Sequence, residues 1–483
     1  MSPSIEPFNE VRYKALMDGL ECSEINLSAL ERTARIDAEF YKKGNLEISS
    51  FLMRKSLQPF TESFIVSDGN HMSISDSFCD EGIPYYRGQD IYNVFIEEAS
   101  PVCIDRDTFN HPHMKRSHLK RGDVLMSIVG AIVGNSAIVT SDSDATCSCK
   151  LSIMRSKQKD ILPETLLTFI KTKYGQNQIQ KFKRGAAQTG LLLEDFDQLF
   201  VPVLSISFQE QIKVIIQSAH ENMAKASEVY ANAMAFFLSA AGYDTDVISK
   251  KGISEKSFSE SFGISGRLDA EYYQPRFDDL FALLAGLSTK TLGKIVDMTK
   301  SIEPGSEVYG DEGIPFIRVS DVSATGIDTP SIRIPHNVVP SIEALFPKKD
   351  TILFSKDGSV GIAYKMEEDI EAVTSGALLH FRVKHPNEIL PDYLTLVLNS
   401  EIVQLQAERD ASGAIIQHWK PGDIANVVIP VLPIDIQREI SQKVQESFVL
   451  RRKAERLIDV AVKATEIAIE SDESIALAYI KSQ

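Results

Sequence analysis

The sequence predicts an α+β protein: two tandem mixed α/β domains joined and spaced by two long antiparallel coiled-coil helices, the whole carrying a pseudo-twofold internal repeat. Three observations carry that prediction. The second half of the chain echoes the first in ordered blocks, which is the mark of a duplicated architecture. Each half contains short apolar runs ended by glycine, as strands entering tight turns require. Each half also closes on a stretch whose apolar residues recur every three or four positions, the period of a helix with one buried face. A length of 483 residues is about three times the prior for one domain, and an apolar fraction of 43% allows sizeable cores. The expected boundaries are a first domain at 1–204, a first long helix at 205–245, a second domain at 246–433, and a second long helix with tail at 434–483.

The repeat begins with Arg35-Ile-Asp-Ala-Glu-Phe-Tyr41, which returns as Arg267-Leu-Asp-Ala-Glu-Tyr-Tyr273. Asp80-Glu-Gly-Ile-Pro-Tyr-Tyr-Arg87 returns as Asp311-Glu-Gly-Ile-Pro-Phe-Ile-Arg318, each followed by an Asp-hydrophobic pair, Asp90-Ile91 and Asp321-Val322. The strand-like block Gly122–Gly134 aligns with Lys349–Gly361, which sets Lys349 against Gly122 and leaves Asp357 without a counterpart. Gly185-Ala-Ala-Gln-Thr-Gly190 matches Gly413-Ala-Ile-Ile-Gln-His418, and Val201-Pro-Val-Leu matches Ile429-Pro-Val-Leu. Gln209-Glu-Gln-Ile and Gln437-Arg-Glu-Ile then open the two helical stretches.

The first helix, Phe208 to Ala241, places Phe208, Ile212, Ile215, Ala219, Ala226, Val229, Ala233 and Phe236 on one seam, with Asn222 as a polar register setter. At 1.5 Å per residue it would be roughly 50 Å long. The second presents Ile436, Ile440, Val444 and Phe448, then Ala454, Leu457, Ala461, Ala464 and Ala468, small residues that permit close helix approach. A lone helix of this kind lies on its own domain; two at matching positions favour an antiparallel pair.

Common catalytic signatures are missing from the sequence: no phosphate loop, dinucleotide fingerprint, His-Glu-x-x-His or Gly-x-Ser-x-Gly occurs. Cys147-Ser-Cys149 lacks a second ligand pair, and His111, His113 and His118 are interleaved with cations that oppose a metal ion. The duplicated carboxylates, Asp37 with Glu39 and Asp269 with Glu271, read as caps or ion pairs at each domain's start rather than as a hydrolytic site. No metal and no catalytic residue is expected. Five cysteines in so long a chain fit reduced thiols, and the absence of a signal sequence or membrane-length apolar run points to the cytoplasm.

A net charge of -16 excludes a uniformly basic, nucleic-acid-coating protein but hides local positive charge. Thr108 to Gly122 holds Lys115, Arg116, Lys120, Arg121 and three histidines with no acid, and Ser148 to Leu193 holds nine basic residues against two acids. Inside the latter, Lys181, Lys183 and Arg184 supply phosphate-seeking cations, a glycine turn frees backbone N–H groups, and Gln188 and Thr189 suit base edges. The second copy offers Lys348, Lys349, Lys356, Gln417, His418 and Lys420. Arg87 and Arg318 recur at equivalent positions, which favours a structural or phosphate role. The reading is that two similar frames with diverged loops dock alike on double-stranded DNA and read different bases; the alternative is a protein-interaction adaptor or inhibitor of a defence complex without its own DNA readout.

The ordered, duplicated blocks resemble the specificity subunits of type I restriction-modification systems: Gly-Ile-Pro-[Tyr/Phe]-x-Arg-x-x-Asp-[Ile/Val], the Gly-Asp-Val-Leu-x-Ser-x-x-Gly type block, the Pro-Val-Leu exit and the Gln-x-x-Ile helix start. The resemblance covers nearly the whole chain. It implies a non-catalytic subunit with two target-recognition domains, each reading one half of a bipartite DNA site. It implies two adenine-methyltransferase subunits held on the helices, where Phe208, Ile212, Ile215, Ile436, Ile440 and Val444 are the candidate contacts, with restriction and translocase subunits joining. Cofactors would then belong to those partners, S-adenosylmethionine to the methyltransferase and ATP with Mg to the restriction subunit, and none to this chain.

Overall fold

A computed structural model describes residues 8–21, 23–28, 30, 35–157, 160–185, 189–244, 252–413 and 416–483. The chain divides into two compact units, Met1–Glu221 with Lys453–Gln483, and Asn222–Arg452. Both divisions fall inside the long helices.

The first unit is built on an antiparallel four-stranded sheet in the order Phe64–Asp68, Leu151–Ser156, Val124–Ser127, Ser136–Ile138. Every residue of Val124–Ser127 is buried, as befits a central strand covered on both faces. A second sheet orders Phe78–Cys79, Val102–Ile104, Ile83–Tyr86 and Thr146–Cys147, the last pair being parallel. Helix α1, Pro163–Lys171, starts on a proline, whose missing N–H costs nothing in the first turn. Helix α2, Lys173–Phe182, is capped by the Thr172 hydroxyl, which accepts from Gly175 N at 3.1 Å. The exit strand Phe200–Pro202 pairs with Leu57–Pro59 and leads into α3, Ile206–Ala240.

In the second unit the same plan recurs. Its sheet runs Val296–Lys300, Leu378–Val383, Ile352–Ser355, Ala363–Lys365. Helices α4, Pro391–Leu398, and α5, Glu401–Asp410, follow it, and the exit strand Val428–Pro430 pairs with Thr289–Thr291. The exit leads into α6, Ile434–Glu470, which is followed by α7, Glu473–Lys481. The mixed α/β class and the duplicated plan read from the sequence are borne out.

The long helices pack together and run antiparallel. In the first unit Ser205 N, at the start of α3, donates to Glu473 Oε1 at 2.7 Å; in the second, Ser447 Oγ donates to Ala226 O at 2.7 Å. Ala219, Ala226 and Ala233 of α3 and Ala454, Ala461 and Ala464 of α6 are wholly buried, the small-residue contact expected of a close pair. Two seam positions shift by one: Met223 and Phe237 are the buried residues, while Asn222 and Phe236 are only half-buried.

Buried glutamines explain two of the repeated motifs. Gln209 accepts from Leu162 N at 2.8 Å and donates to Asp160 O and Leu204 O; Gln437 accepts from Leu390 N at 3.0 Å and donates to Glu388 O and Leu432 O. Each ties the helix start to the loop before α1 or α4, and neither of these two buried amides is left unpaired. The opening septets act likewise. Arg35 pairs with Asp37 at 2.6 Å and Arg267 Nε donates to Asp269 at 2.9 Å, while Tyr41 and Tyr273 hydroxyls return to the Arg35 and Arg267 carbonyls. Both acids are held below the usual carboxylate range by the arginine beside them. The ion-pair reading of these carboxylates stands for Asp37, for Asp269 and for Glu39, which pairs with Lys42; the segments are 3-10 turns, Ala38–Tyr41 and Ala270–Tyr273.

The alignment of the central block needs a correction of one residue. Leu125 and Leu353 occupy the same place in the central strand, facing Ile153 and His380. Gly122 N donates to Val139 O as Asp350 N donates to Met366 O. Asp350, not Lys349, is therefore the counterpart of Gly122, and both adopt left-handed backbone, φ +86° and +64°. Asp357 then corresponds to Val129 and Lys356 to Ile128. The missing residue lies in the following turn, where the glycines at Gly134 and Gly361 return to register: a side chain at either would press on Gln176 or Gln404 at 2.8 Å. Of the Cys147-Ser-Cys149 run, Cys147 is buried at the end of its strand and Cys149, beyond it, is half-exposed.

Candidate nucleic-acid interface

In each unit the loop after the second short helix is pinned to the turn that leaves the central strand. Arg184 N donates to Gly190 O at 3.0 Å and Gly190 N to Arg184 O at 2.8 Å, closing the loop; Leu191 N then donates to Ile128 O and Gly130 N to Thr189 O. The second unit repeats this with Ser412 and His418 exchanging both backbone bonds, Trp419 N donating to Lys356 O and Gly358 N to Gln417 O. Gly185 and Gly413, at φ +112° and +126°, make these loops possible, because a side chain is strained in that region. Gln188 lies outside the described residues.

The turns carrying Arg87 and Arg318 reach the same end of the central strand. Ser148 N donates to Tyr86 O and Ile128 N to Lys150 O; in the second unit Ser375 N donates to Ile317 O and Lys356 N to Ala377 O. Arg87 and Arg318 fold back on Asp90 and Asp321, at 3.2 and 3.4 Å, while their own N–H groups donate to the same acids. Lys150, exposed beside Gly88, joins this cluster. The sequence had counted it only within a basic stretch; its recurrent hydrogen bond is a three-dimensional fact.

The remaining cations sit elsewhere. Lys120 and Arg121, and Lys348 and Lys349, precede the central strand and lie at its opposite end, roughly 13 Å away for a four-residue strand. Arg121 pairs with Asp142 at 2.9 Å, and Lys348 with Asp369 at 3.3 Å. Arg116 pairs with Asp68, whereas Lys115 and Lys120 are exposed with no ion pair among the described residues. His118 stacks on Phe109 at 3.8 Å, and His111 accepts from His113 N; no cluster able to hold a metal occurs among the described residues. Lys181 is turned inward, donating to Ser49 Oγ at 3.0 Å and lying over the Phe40 ring.

Charge at the pinned loops differs between units. Arg184 pairs with the buried Asp195, leaving Lys183 as the half-buried cation beside it. In the second unit Lys356 and His418 converge on Asp357, and Lys420 stands exposed on a cleft of about 580 Å³ shared with Arg267, Asp269, Tyr272, Arg409 and Ser412. The docking role expected of the helix stripes meets a plain obstacle. Phe208, Ile212, Ile440 and Val444 are wholly buried within the chain, Ile215 nearly so and Ile436 half-buried, so these side chains are spent on internal packing. A partner contact on these helices must use their outward residues.

Against known families, residues 286–448 match the type I restriction modification DNA specificity domain. The resemblance read from the repeated motifs is borne out, and the matched range contains the second unit's sheet and its pinned loop. The specificity subunit of the type I restriction enzyme EcoBI from Escherichia coli is 23% identical over 162 residues, 33% of this chain and 34% of that protein, so the match spans about a third of the curated relative's length. Among solved structures, the S subunit of the type I restriction-modification system from M. genitalium aligns over 88% of this chain and 95% of its own at 14% identity, with a TM-score of 0.36. The HsdS subunit of Thermoanaerobacter tengcongensis aligns over 86% and 96% at 17% identity, with a TM-score of 0.29. No described helix is long and apolar enough to cross a membrane.

Proposed function

We propose that the chain is the DNA-reading, non-catalytic subunit of a cytoplasmic type I restriction-modification complex, each unit reading one half of a bipartite target through its pinned loop. The observation that carries this is the recurrence in the first unit, bond for bond, of the loop that the specificity domain holds at the end of its central strand. Backbone closure fixes where the loop is presented, while its side chains are free to differ, which is how a common frame comes to read different bases. Cations at the loop end, Lys150, Lys183 and Lys420, supply phosphate contacts, and the overall charge of -16 leaves much of the phosphate affinity to partner subunits. Those partners are two adenine-methyltransferase subunits, with restriction and translocase subunits added; S-adenosylmethionine, ATP and Mg belong to them.

The test is co-expression with an adenine-methyltransferase subunit followed by single-molecule mapping of N6-methyladenine. A bipartite motif that appears only with this chain is expected. Methylation independent of the chain would overturn the reading and favour a protein-interaction adaptor.

A further inference from the structure

We infer that His418 is a base-reading side chain of the second unit alone, and that Asp357 is the positioning residue that sets its ring and its tautomer. The inference rests on the DNA-reading role proposed above and names the group that does the reading at one loop. Three observations support it. His418 Nδ1 lies 2.8 Å from Asp357 Oδ1, and the two residues also bridge across the loop and turn, so the ring is held from both its backbone and its side chain. Lys356, whose side chain is almost buried, pairs with the second oxygen of Asp357 and keeps that carboxylate fixed. The imidazole itself remains 60% exposed. An orienting group behind an exposed ring, with a buried cation behind the orienting group, is more apparatus than closing a surface loop needs. The first unit closes the same loop with Val129 and Gly190 in these places.

The chemistry follows from the donor count. Burial raises the Asp357 carboxyl, but the hydrogen bonds from Lys356 and His418 together outweigh it and hold the group below the ordinary carboxylate range, so the carboxylate is ionised at neutral pH and only accepts. Nδ1 then carries a proton, and when the ring is neutral Nε2 is left as an acceptor. An acceptor of that kind complements an exocyclic amino group on a base edge, the N6 amino of adenine or the N4 amino of cytosine in the major groove. Val129 and Gly190 present nothing comparable, so the two half-sites are read by different chemistry on one frame.

The test uses the full chain in its methyltransferase complex and a DNA library randomised in both half-sites. His418→Ala is expected to reduce discrimination at one position of one half-site by roughly threefold to tenfold, the worth of one hydrogen bond, with the other half-site unchanged. Asp357→Val, which installs the first unit's residue, should relax the same position. Asp357→Asn, whose amide oxygen still accepts from Nδ1, should restore it. A wild-type complex with no sequence preference would defeat the proposed function itself. A wild-type complex with a clear bipartite preference that all three variants leave intact, or that His418→Ala weakens equally on every sequence, would overturn the role assigned to His418 while leaving the proposed function standing.

Discussion

Ile138 of the first unit and Lys365 of the second occupy the same position, each on an edge strand and each paired across to the first residue of the central strand. Both are buried, and there the likeness ends. Lys365 lies 2.8 Å from Glu367, 3.1 Å from Asp392 and 3.4 Å from Asp350, and Gln445 of α6 donates to Asp392 at 2.8 Å. The frame tolerates either a hydrocarbon or a charge cluster at this place, because backbone pairing fixes the strand and the side chain has only to find company. The ions are not equally content. Burial outweighs attraction for Asp392, which is held above its ordinary range, whereas the surrounding acids outweigh burial for Lys365, which is also raised. The comparison teaches that the shared architecture resides in backbone bonds and buried amides, while the charged interior of the second unit is its own.

The largest expected effect comes from breaking that cluster. Lys365→Ile, which copies the first unit, leaves Asp392 buried without its cation and should cost the second unit about 3 to 5 kcal/mol. Lys365→Ile combined with Asp392→Leu should recover most of the loss, since hydrophobic replacement of a whole buried pair is often neutral. Trp419 is the chain's single tryptophan and is buried in the second unit, so its fluorescence in urea reports that unit. An unshifted Trp419 transition in the single variant would show that the cluster contributes nothing.

A second difference is acid sensitivity. His380 sits opposite Leu353 where the first unit places Ile153 opposite Leu125. Burial lowers its pKa from 6.5 to about 4, and Thr374 Oγ1 lies 2.8 Å from its Nε2. Between those values the unfolded chain binds a proton that the folded unit does not, so stability is complete above pH 6.5 and falls as pH drops towards 4. The loss is about 3 kcal/mol. His380→Ile should remove this component, flattening the dependence of the Trp419 urea midpoint between pH 6.5 and 5. A variant with wild-type slope would place the acid sensitivity in other groups.

The duplicated plan was legible in the sequence because the residues that build it recur with their neighbours: the septet arginine and aspartate, the Gly-Ile-Pro strand, the Gln-x-x-Ile start. The arginine and aspartate form a local ion pair, the glycine of Gly-Ile-Pro lies where a side chain would press on the carbonyl of Ile104 or Ile334, and the glutamine is a buried amide with its partners met. The loop cations were legible as a group but not as a site. Pinning by Ile128 and Gly130, or by Lys356 and Gly358, depends on strand pairing across more than fifty residues, which composition cannot reveal. Lys120 and Lys183 therefore looked alike although they belong to opposite ends of a strand. The helix stripes were read correctly as seams and assigned to the wrong partner, since a periodic apolar face has the same pattern whether its own chain or another covers it.

The one-residue slip shows how a register error arises and offers the smallest test. Lys349-Asp350 mimics Gly122-Asp123 in spelling, yet the left-handed position belongs to Gly122 and Asp350. Aspartate is among the few residues with a side chain that visits this region, because its carboxylate bonds locally. Here Asp350 gains a further contact with Lys365. Gly122→Ala should therefore cost the first unit about 1 kcal/mol, the strain of a side chain at positive φ less the entropy saved in the unfolded chain. The new methyl group meets only Pro163 at an ordinary 3.5 Å, so sterics add little. Asp350→Gly should change the second unit by less than about 0.5 kcal/mol, the relief of strain being offset by the freer unfolded chain and the lost contact. Far-UV circular dichroism for the first unit and Trp419 fluorescence for the second separate the two. Equal costs at Lys349→Gly and Gly122→Ala would restore the alignment by spelling; a cost at Gly122 with none at Lys349 upholds the register set by the backbone.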